Sequence, residues 1–353
     1  MKISEIILDW YKKNRRPLPW RETKDPYSIW LSEIILQQTR VQQGLDYYLK
    51  FMERFPNVHS LASASEQKVI KLWQGLGYYS RARNLLVAAR QITGEYNGNF
   101  PDTYEEIIKL KGVGPYTAAA IASIAFHQPV PVVDGNVARV ISRLFGITEP
   151  VNGSAGDKMI RKLAGELLLI EHPGDHNQAM MEFGALQCVP VNPGCEDCPL
   201  RHHCSAYREG MVAELPRKIK KQKIRNRYFT YLVIRNGNDT YLSRRTGNDI
   251  WKGMYEFPLI EHENKPDEKE ILRIAVEMLM LPDDDMTIEK ISPAILHQLT
   301  HRKIHARFLH VRVNGVMKDF PSSWEKIRWD EIGVHPVPRL IDRYLEQNSN
   351  QPF

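Results

Sequence analysis

The chain has 353 residues, 42% of them apolar and 25% charged, with a formal net charge of +6. That length holds about two domains with real cores, and the composition excludes a disordered, fibrous or disulfide-stapled chain. No apolar run approaches a membrane span, and Met1-Lys2-Ile3-Ser4 leads straight into an amphipathic pattern rather than a secretory signal, so a cytoplasmic protein is expected. The positive charge permits a polyanionic partner without proving one.

Ile3 to Asn14 reads as a first helix with Ile6, Ile7, Trp10 and Tyr11 on its apolar face. Two prolines in Arg15-Arg16-Pro17-Leu18-Pro19-Trp20-Arg21 prevent its continuation. Helical periodicity then runs from Ser28 to Phe55 and contains Glu33, and Leu72 to Asn84 is a Gly-broken loop entering a basic helix start. Tyr104 to Leu110, opened by Pro101-Asp102, precedes Lys111-Gly112-Val113-Gly114, and a second helix is expected from Pro115 to Phe126. Pro115 suits a first helical position, where its missing N–H costs nothing. Asp134, followed by Gly135 and a periodic apolar run, is a natural N-cap. Further helices are expected from Asp157 to Ile170 and from Gln178 to Leu186, so residues 1–207 read as all-α.

The composition shifts at Arg217: seven of the eleven residues from Arg217 to Arg227 are Lys or Arg, as in a solvated linker, here placed at 208–227. From Tyr228 the period becomes that of strands. Tyr228 to Arg235 ends in Asn236-Gly237, a hairpin signal with Thr240 to Arg244 as the expected partner. Ile304, Ala306 and Phe308 alternate with polar residues, and Glu268 to Met280 reads as a helix, so residues 228–353 are expected to be α+β.

Three features carry chemistry. A Gly112-Val113-Gly114 turn before a helix offers backbone N–H groups and a helix N-terminus to a phosphate, although such a turn also serves an ordinary helical hairpin. Glu33, flanked by Ile29, Ile34, Ile35 and Leu36, is expected to be desolvated, which raises a carboxyl pKa and suits a general acid. Cys188, Cys195, Cys198 and Cys204 are all the cysteines of the chain. Four thiolates on so short a loop suit one metal centre, and ligand count alone leaves zinc and iron–sulfur even.

Together these motifs resemble the helix-hairpin-helix DNA glycosylases with an iron–sulfur cluster and, more narrowly, the MutY adenine DNA glycosylases, from about Ile6 to Leu345. The resemblance implies a multidomain protein. An all-α glycosylase domain carries the helix-hairpin-helix at about 104–126 and the iron–sulfur loop at 188–204, and an α+β Nudix-like domain follows. It implies one [4Fe-4S] cluster on the four cysteines. The partner it implies is double-stranded DNA with adenine opposite 8-oxoguanine or guanine, and a monomer is expected. Glu33 would protonate adenine, Asp134 would support the sugar cation, and Asn136 and Tyr116 would complete the site. Tyr116 stands where strand-cutting relatives hold a Lys, and a Tyr cannot form a Schiff base, so a monofunctional enzyme is expected. Gln178, Arg21 and Trp20 would line the adenine pocket. Gln37 or Gln38, together with Leu76 and Tyr78, would wedge into the base stack, and the Gly112-Val113-Gly114 turn would hold the DNA backbone. Leu299-Thr300-His301 stands where the family usually has Phe-Ser-His to read 8-oxoguanine. Ile271 to Glu277 lacks the acidic cluster of a working Nudix hydrolase, which implies a binding module. Two other readings remain at this stage: an endonuclease III-like pyrimidine glycosylase/lyase, and a non-catalytic iron–sulfur DNA-damage binder.

Overall fold

The apolar stripe of the first helix is folded inward, and its partners define the first of two compact units. The structure is a computed structural model that describes residues 2–219, 224–281, 285–314 and 321–348. One unit comprises Met1–Ala64 with Asn84–Lys220, the other Ser65–Arg83 with Lys221–Phe353. Lys220 to Lys223 of the expected basic linker lie outside the described residues.

The helical part runs α1 (Ile3–Asn14), α2 (Pro26–Leu36), α3 (Val41–Arg54), α4 (Val58–Ala62), α5 (Glu66–Leu72), α6 (Ser80–Glu95), α7 (Tyr104–Ile107), α8 (Pro115–Phe126), α9 (Gly135–Phe145), α10 (Ser154–Leu167), α11 (Pro173–Leu186) and α12 (Ser205–Arg208). The periodicity from Ser28 to Phe55 is two helices, not one. The polar run Gln37-Gln38-Thr39-Arg40 offers no apolar residue to extend the buried stripe, and Gln38 turns to φ +59°. Ile7 and Tyr11 of α1 pack with Val137, Ile141 and Leu144 of α9 and with Met180 and Phe183 of α11. The alanine-rich α8 is buried from Thr117 to Ile124 and packs against α2 and α11. Gly184 shows how closely α11 approaches: a Cβ there would lie 2.7 Å from that of Asn136, in the first turn of α9. A larger residue would push apart the helices that carry the site.

The turn before α8 is present, with Gly112 in the left-handed region and Gly114, at φ −98°, in extended backbone. Gly112 takes φ +79°, which glycine tolerates. Asn84 sits where a Cβ on Gly112 would be, and Val113 N–H donates to Leu110 O at 3.1 Å.

The second unit contains β1 (Arg225–Arg235), β2 (Asp239–Arg244), β3 (Tyr255–Glu256), β4 (Leu259–His262), α13 (Glu268–Leu279), β5 (Met286–Ile291), β6 (Ile295–Gln298), β7 (Arg302–Val313), β8 (Trp324–Arg328) and α14 (Arg339–Asn348). The expected hairpin is absent. Asn236 and Asp239 form a single bridge, after which β2 leaves for a second sheet with β3 and β8. The reason lies in β1, whose residues Phe229 to Ile234 are all buried. Such a run belongs to a central strand with both edges taken: β4 pairs one edge antiparallel, and β7 pairs the other in parallel from Arg225–Arg302 to Arg235–Arg312. Leu232, Ile234, Leu309 and Val311 pack under Ile271, Ala275 and Leu279 of α13. Among the described residues no helix is long and apolar enough to cross a membrane.

Candidate active site

Glu33 sits on α2, one of the most apolar helices of the chain, and only 8% of it is exposed. Burial pushes its carboxyl up to about 7. A hydrogen bond from Tyr116 and the charge of Arg21 pull the other way, while the charge of Asp134 adds to the rise. Glu33, Tyr116 and Asp134 therefore face one another at the meeting of α2, α8 and α9. The Tyr116 hydroxyl also approaches Met181 Sδ at 3.4 Å, and burial among these carboxylates holds it well above the ordinary phenol range.

Asp134 is the N-cap of α9. Its Oδ1 accepts from Val137 N–H at 2.7 Å and its Oδ2 from Asn136 Nδ2 at 2.8 Å. Burial raises its pKa, and these donors together with the Arg139 charge oppose the rise. The two carboxyls are thus unequal: Glu33 sits in an apolar wall, whereas Asp134 is solvated by fixed donors that favour its anion. Arg139 extends the chain of contacts, donating from Nη2 to Asn136 Oδ1 at 2.9 Å and to Gly184 O at 2.7 Å, and from Nε to Cys188 O at 2.8 Å.

Gln178 is buried on α11, and its Oε1 accepts from Tyr11 Oη at 2.9 Å. Arg21 forks onto Glu182 with two bonds of 2.8 and 2.7 Å and lies 5.6 Å from the centre of the Tyr11 ring. Arg16 holds the same carboxylate. Burial raises the Glu182 pKa, but the bonds from Arg21 and Arg16 bring it down to about 2. Trp20 is buried edge-on against Tyr48, with centroids 5.0 Å apart.

Of the expected stacking and backbone groups in this unit, Gln37 donates to Thr117 Oγ1 at 3.2 Å and Gln38 is exposed. Gly112 is exposed and Gly114 half-buried, but the Val113 side chain is turned into the core. In the second unit Leu76 is buried, whereas Tyr78, at φ +48°, is 48% exposed and shares a hydrogen bond with the hydroxyl of Thr300. Leu299 is half-buried, and Thr300 and His301 are exposed.

The four cysteines line one cavity with Arg143 and Tyr207. Arg143 is buried and frames that loop, donating to Cys188 Sγ at 3.4 Å, Val189 O at 2.8 Å, Pro190 O at 3.1 Å and Leu215 O at 3.0 Å. Burial raises the thiol pKa of Cys195 and Cys204 and brings that of Cys198 to about 11, a state that a bound cation would reverse. Among the described residues no set of three or more His, Cys, Asp or Glu side chains is arranged to hold a single metal ion. Four convergent thiols with a guanidinium donor at one sulfur fit a polynuclear iron–sulfur group.

Sequence reasoning missed Tyr11, Arg139, Arg143, Met181 and above all Glu182. A trace of Glu182 was present: it lies four residues after Gln178, one helical turn along the same face.

Helices around a Gly-Val-Gly turn, with two facing carboxyls, define a base-excision DNA repair protein of the helix-hairpin-helix class. Residues 31–168 match the HhH-GPD superfamily base excision DNA repair protein family, and residues 230–347 match the NUDIX domain. A thermostable thymine-DNA glycosylase structure is 33% identical and covers 58% of this chain and 95% of its own, with a TM-score of 0.55. The adenine DNA glycosylases of Buchnera aphidicola subsp. Baizongia pistaciae and subsp. Acyrthosiphon pisum are 36% and 32% identical. They cover 98% and 99% of this chain and 97% and 98% of their own lengths. The chain belongs to the adenine DNA glycosylase family.

Proposed function

We propose that the protein is a monofunctional adenine DNA glycosylase of base-excision repair that removes adenine opposite 8-oxoguanine or guanine from duplex DNA. The single observation that carries this reading is the pairing of a carboxyl raised to about 7 with a second, donor-stabilised carboxylate, both within electrostatic reach of Tyr116. Adenine is a poor leaving group until protonated. Glu33 gives its proton to adenine N7, the C1′–N9 bond breaks with its electron pair going to N9, and Asp134 stabilises the cation left on the sugar. Water then adds to C1′, and its proton returns to Glu33. Asn136 orients Asp134, while Gln178 and Arg21 bound the adenine. The nucleotide must leave the stack to reach this site, and Gln37, Gln38, Leu76 and Tyr78 fill the space it vacates. Gly112 and Gly114 grip the backbone, and Thr300, with Leu299 and His301, reads the opposite base.

The four cysteines would hold a [4Fe-4S] cluster, whose contribution is to order their loop through thiolate bonds. Arg143 already anchors that loop from the protein side. The protein is expected to act as a cytoplasmic monomer on DNA.

The test is a panel of duplexes with adenine opposite 8-oxoguanine, adenine opposite guanine, thymine opposite guanine, and thymine glycol, each with and without alkali. Adenine release, with strand scission only after alkali, is expected. Thymine or thymine glycol release without adenine release, or scission without alkali, would overturn the proposal.

A further inference from the structure

The loop from Arg244 to Met254 contains the Trp251-Lys252-Gly253 segment. It is closed by Arg245 N–H to Met254 O at 2.9 Å and Gly253 N–H to Arg245 O at 2.7 Å. From this base it grips both arms of the loop that carries Thr300. Trp251, at φ +58°, packs edge-on against His297 at the end of β6, with centroids 5.8 Å apart. Asp249 accepts from Arg302, the first residue of β7, at 2.7 Å. Thr300 lies between these two anchors, in a turn closed by Leu299 N–H to Arg302 O at 2.8 Å.

The same loop also holds the Tyr78 segment. The Lys252 carbonyl accepts from Arg83, and Arg244 pairs with Glu66 at 3.5 Å. A Cβ on Gly253 would fall 3.1 Å from Glu66 Oε1, so little room is left between loop and segment. Tyr78 and Thr300, joined through their hydroxyls, are therefore both set from one short loop.

Asp249 is where this bracket is weakest to change. It also accepts from Arg227 at 3.0 Å and from Arg245 at 2.9 Å, so three guanidiniums converge on one carboxylate. Desolvation raises its pKa, yet the bonds from Arg227, from the Ile250 N–H and from Arg302 hold it well below the ordinary carboxylate range. Without its charge the three cations repel one another, and Arg302, the most exposed of them, is the one free to move.

We propose that the Arg244–Met254 loop sets the position of Thr300 against Tyr78, with Asp249 as the positioning residue, and so governs discrimination between 8-oxoguanine and guanine opposite adenine. This rests on the reading of Thr300 and Tyr78 as lesion-reading groups. The experiment measures single-turnover adenine release by the full chain from duplexes with adenine opposite 8-oxoguanine and opposite guanine, for Asp249→Asn, Arg302→Gln, Thr300→Ala and the Asp249→Asn/Thr300→Ala pair. Asp249→Asn is expected to lower the ratio of the two rates by about tenfold, the scale of a small displacement of a contacting group. Arg302→Gln should act in the same direction, and the double variant should lose no more than Thr300→Ala alone. Equal losses on both duplexes, as a weakened fold would give, or an unchanged ratio in both Asp249→Asn and Arg302→Gln beside a lowered one in Thr300→Ala, would overturn the positioning role alone. An unchanged ratio in Thr300→Ala would overturn the lesion-loop reading and this inference with it.

Discussion

Burial brings two carboxyls in this molecule to the same place on the pH scale. Glu33 in the helical unit and Glu256 in the second unit are both pushed up to about 7, and each accepts a bond from a tyrosine hydroxyl, Tyr116 or Tyr231. Their other neighbours differ. Glu256 is locked by Arg245 Nη1 at 2.6 Å, inside a closed set of arginine–carboxylate pairs. Glu33 faces Asp134, and the charge of Asp134 works against its ionisation. A guanidinium makes a buried acid part of the framework, whereas a second carboxylate makes it a proton donor. Perturbed acidity marks a candidate, and the partner decides what kind.

The largest expected effect tests that difference. Glu33→Gln keeps shape and a hydrogen-bonding end but has no proton to give, so single-turnover adenine release should fall about 10²- to 10⁴-fold with the fold intact. Glu256→Gln should do the reverse. It removes one of the two carboxylates that Arg245 pairs with, Asp249 being the other, at a site 5% exposed, and should cost about 3 kcal/mol in denaturant unfolding, while the chemical step is spared. If Glu256→Gln slowed chemistry as much as Glu33→Gln, the contrast between the two sites would collapse.

Next in size is Glu182, which sharpens the comparison because it is a framework acid inside the active unit. It is 1% exposed and carries two arginines. Glu182→Gln should cost about 3 kcal/mol of stability, since Arg21 is left buried and unpaired. Because its folded pKa of about 2 lies below the ordinary 4.5, its contribution is whole above 4.5 and is lost as pH falls from there toward 2. Thermal melting followed over that window should show the wild type converging on the variant, and parallel curves would remove Glu182 from the account.

What the letters disclosed follows the same division. Glu33 and Asp134 were legible because their cues are local: an acid in an apolar helix, and a cap before a periodic run. The cysteine set was legible from spacing. The Arg16–Glu182–Arg21 fork was not, because its members are far apart in the chain and only the packing of α1 against α11 brings them together. The Asn236-Gly237 signal misled for a related reason: a turn sequence is local, but the edges of β1 were already claimed by β4 and β7. Val113, part of a turn expected to face DNA, instead points its side chain inward and uses its N–H on Leu110. Nor does any cue in residues 65–83 announce that this stretch groups with the second unit.

The smallest effect is graded, and it separates a working acid from a structural one. Only protonated Glu33 can give a proton to adenine, so the rate should be level below about 7 and fall about tenfold per pH unit above it. The same titration acts on stability with a definite sign. A carboxyl whose folded pKa lies above the unfolded 4.5 is charged more readily when unfolded, so the fold loses stability as pH rises from 4.5 through 7. Glu33→Gln removes that penalty. Melting temperatures of wild type and variant should therefore diverge in favour of the variant between about pH 5 and 8, over the window in which the wild-type rate begins to decline. A variant no more stable than wild type at pH 8 would mean that Glu33 ionises freely in the fold, and the proton donor would have to be sought elsewhere.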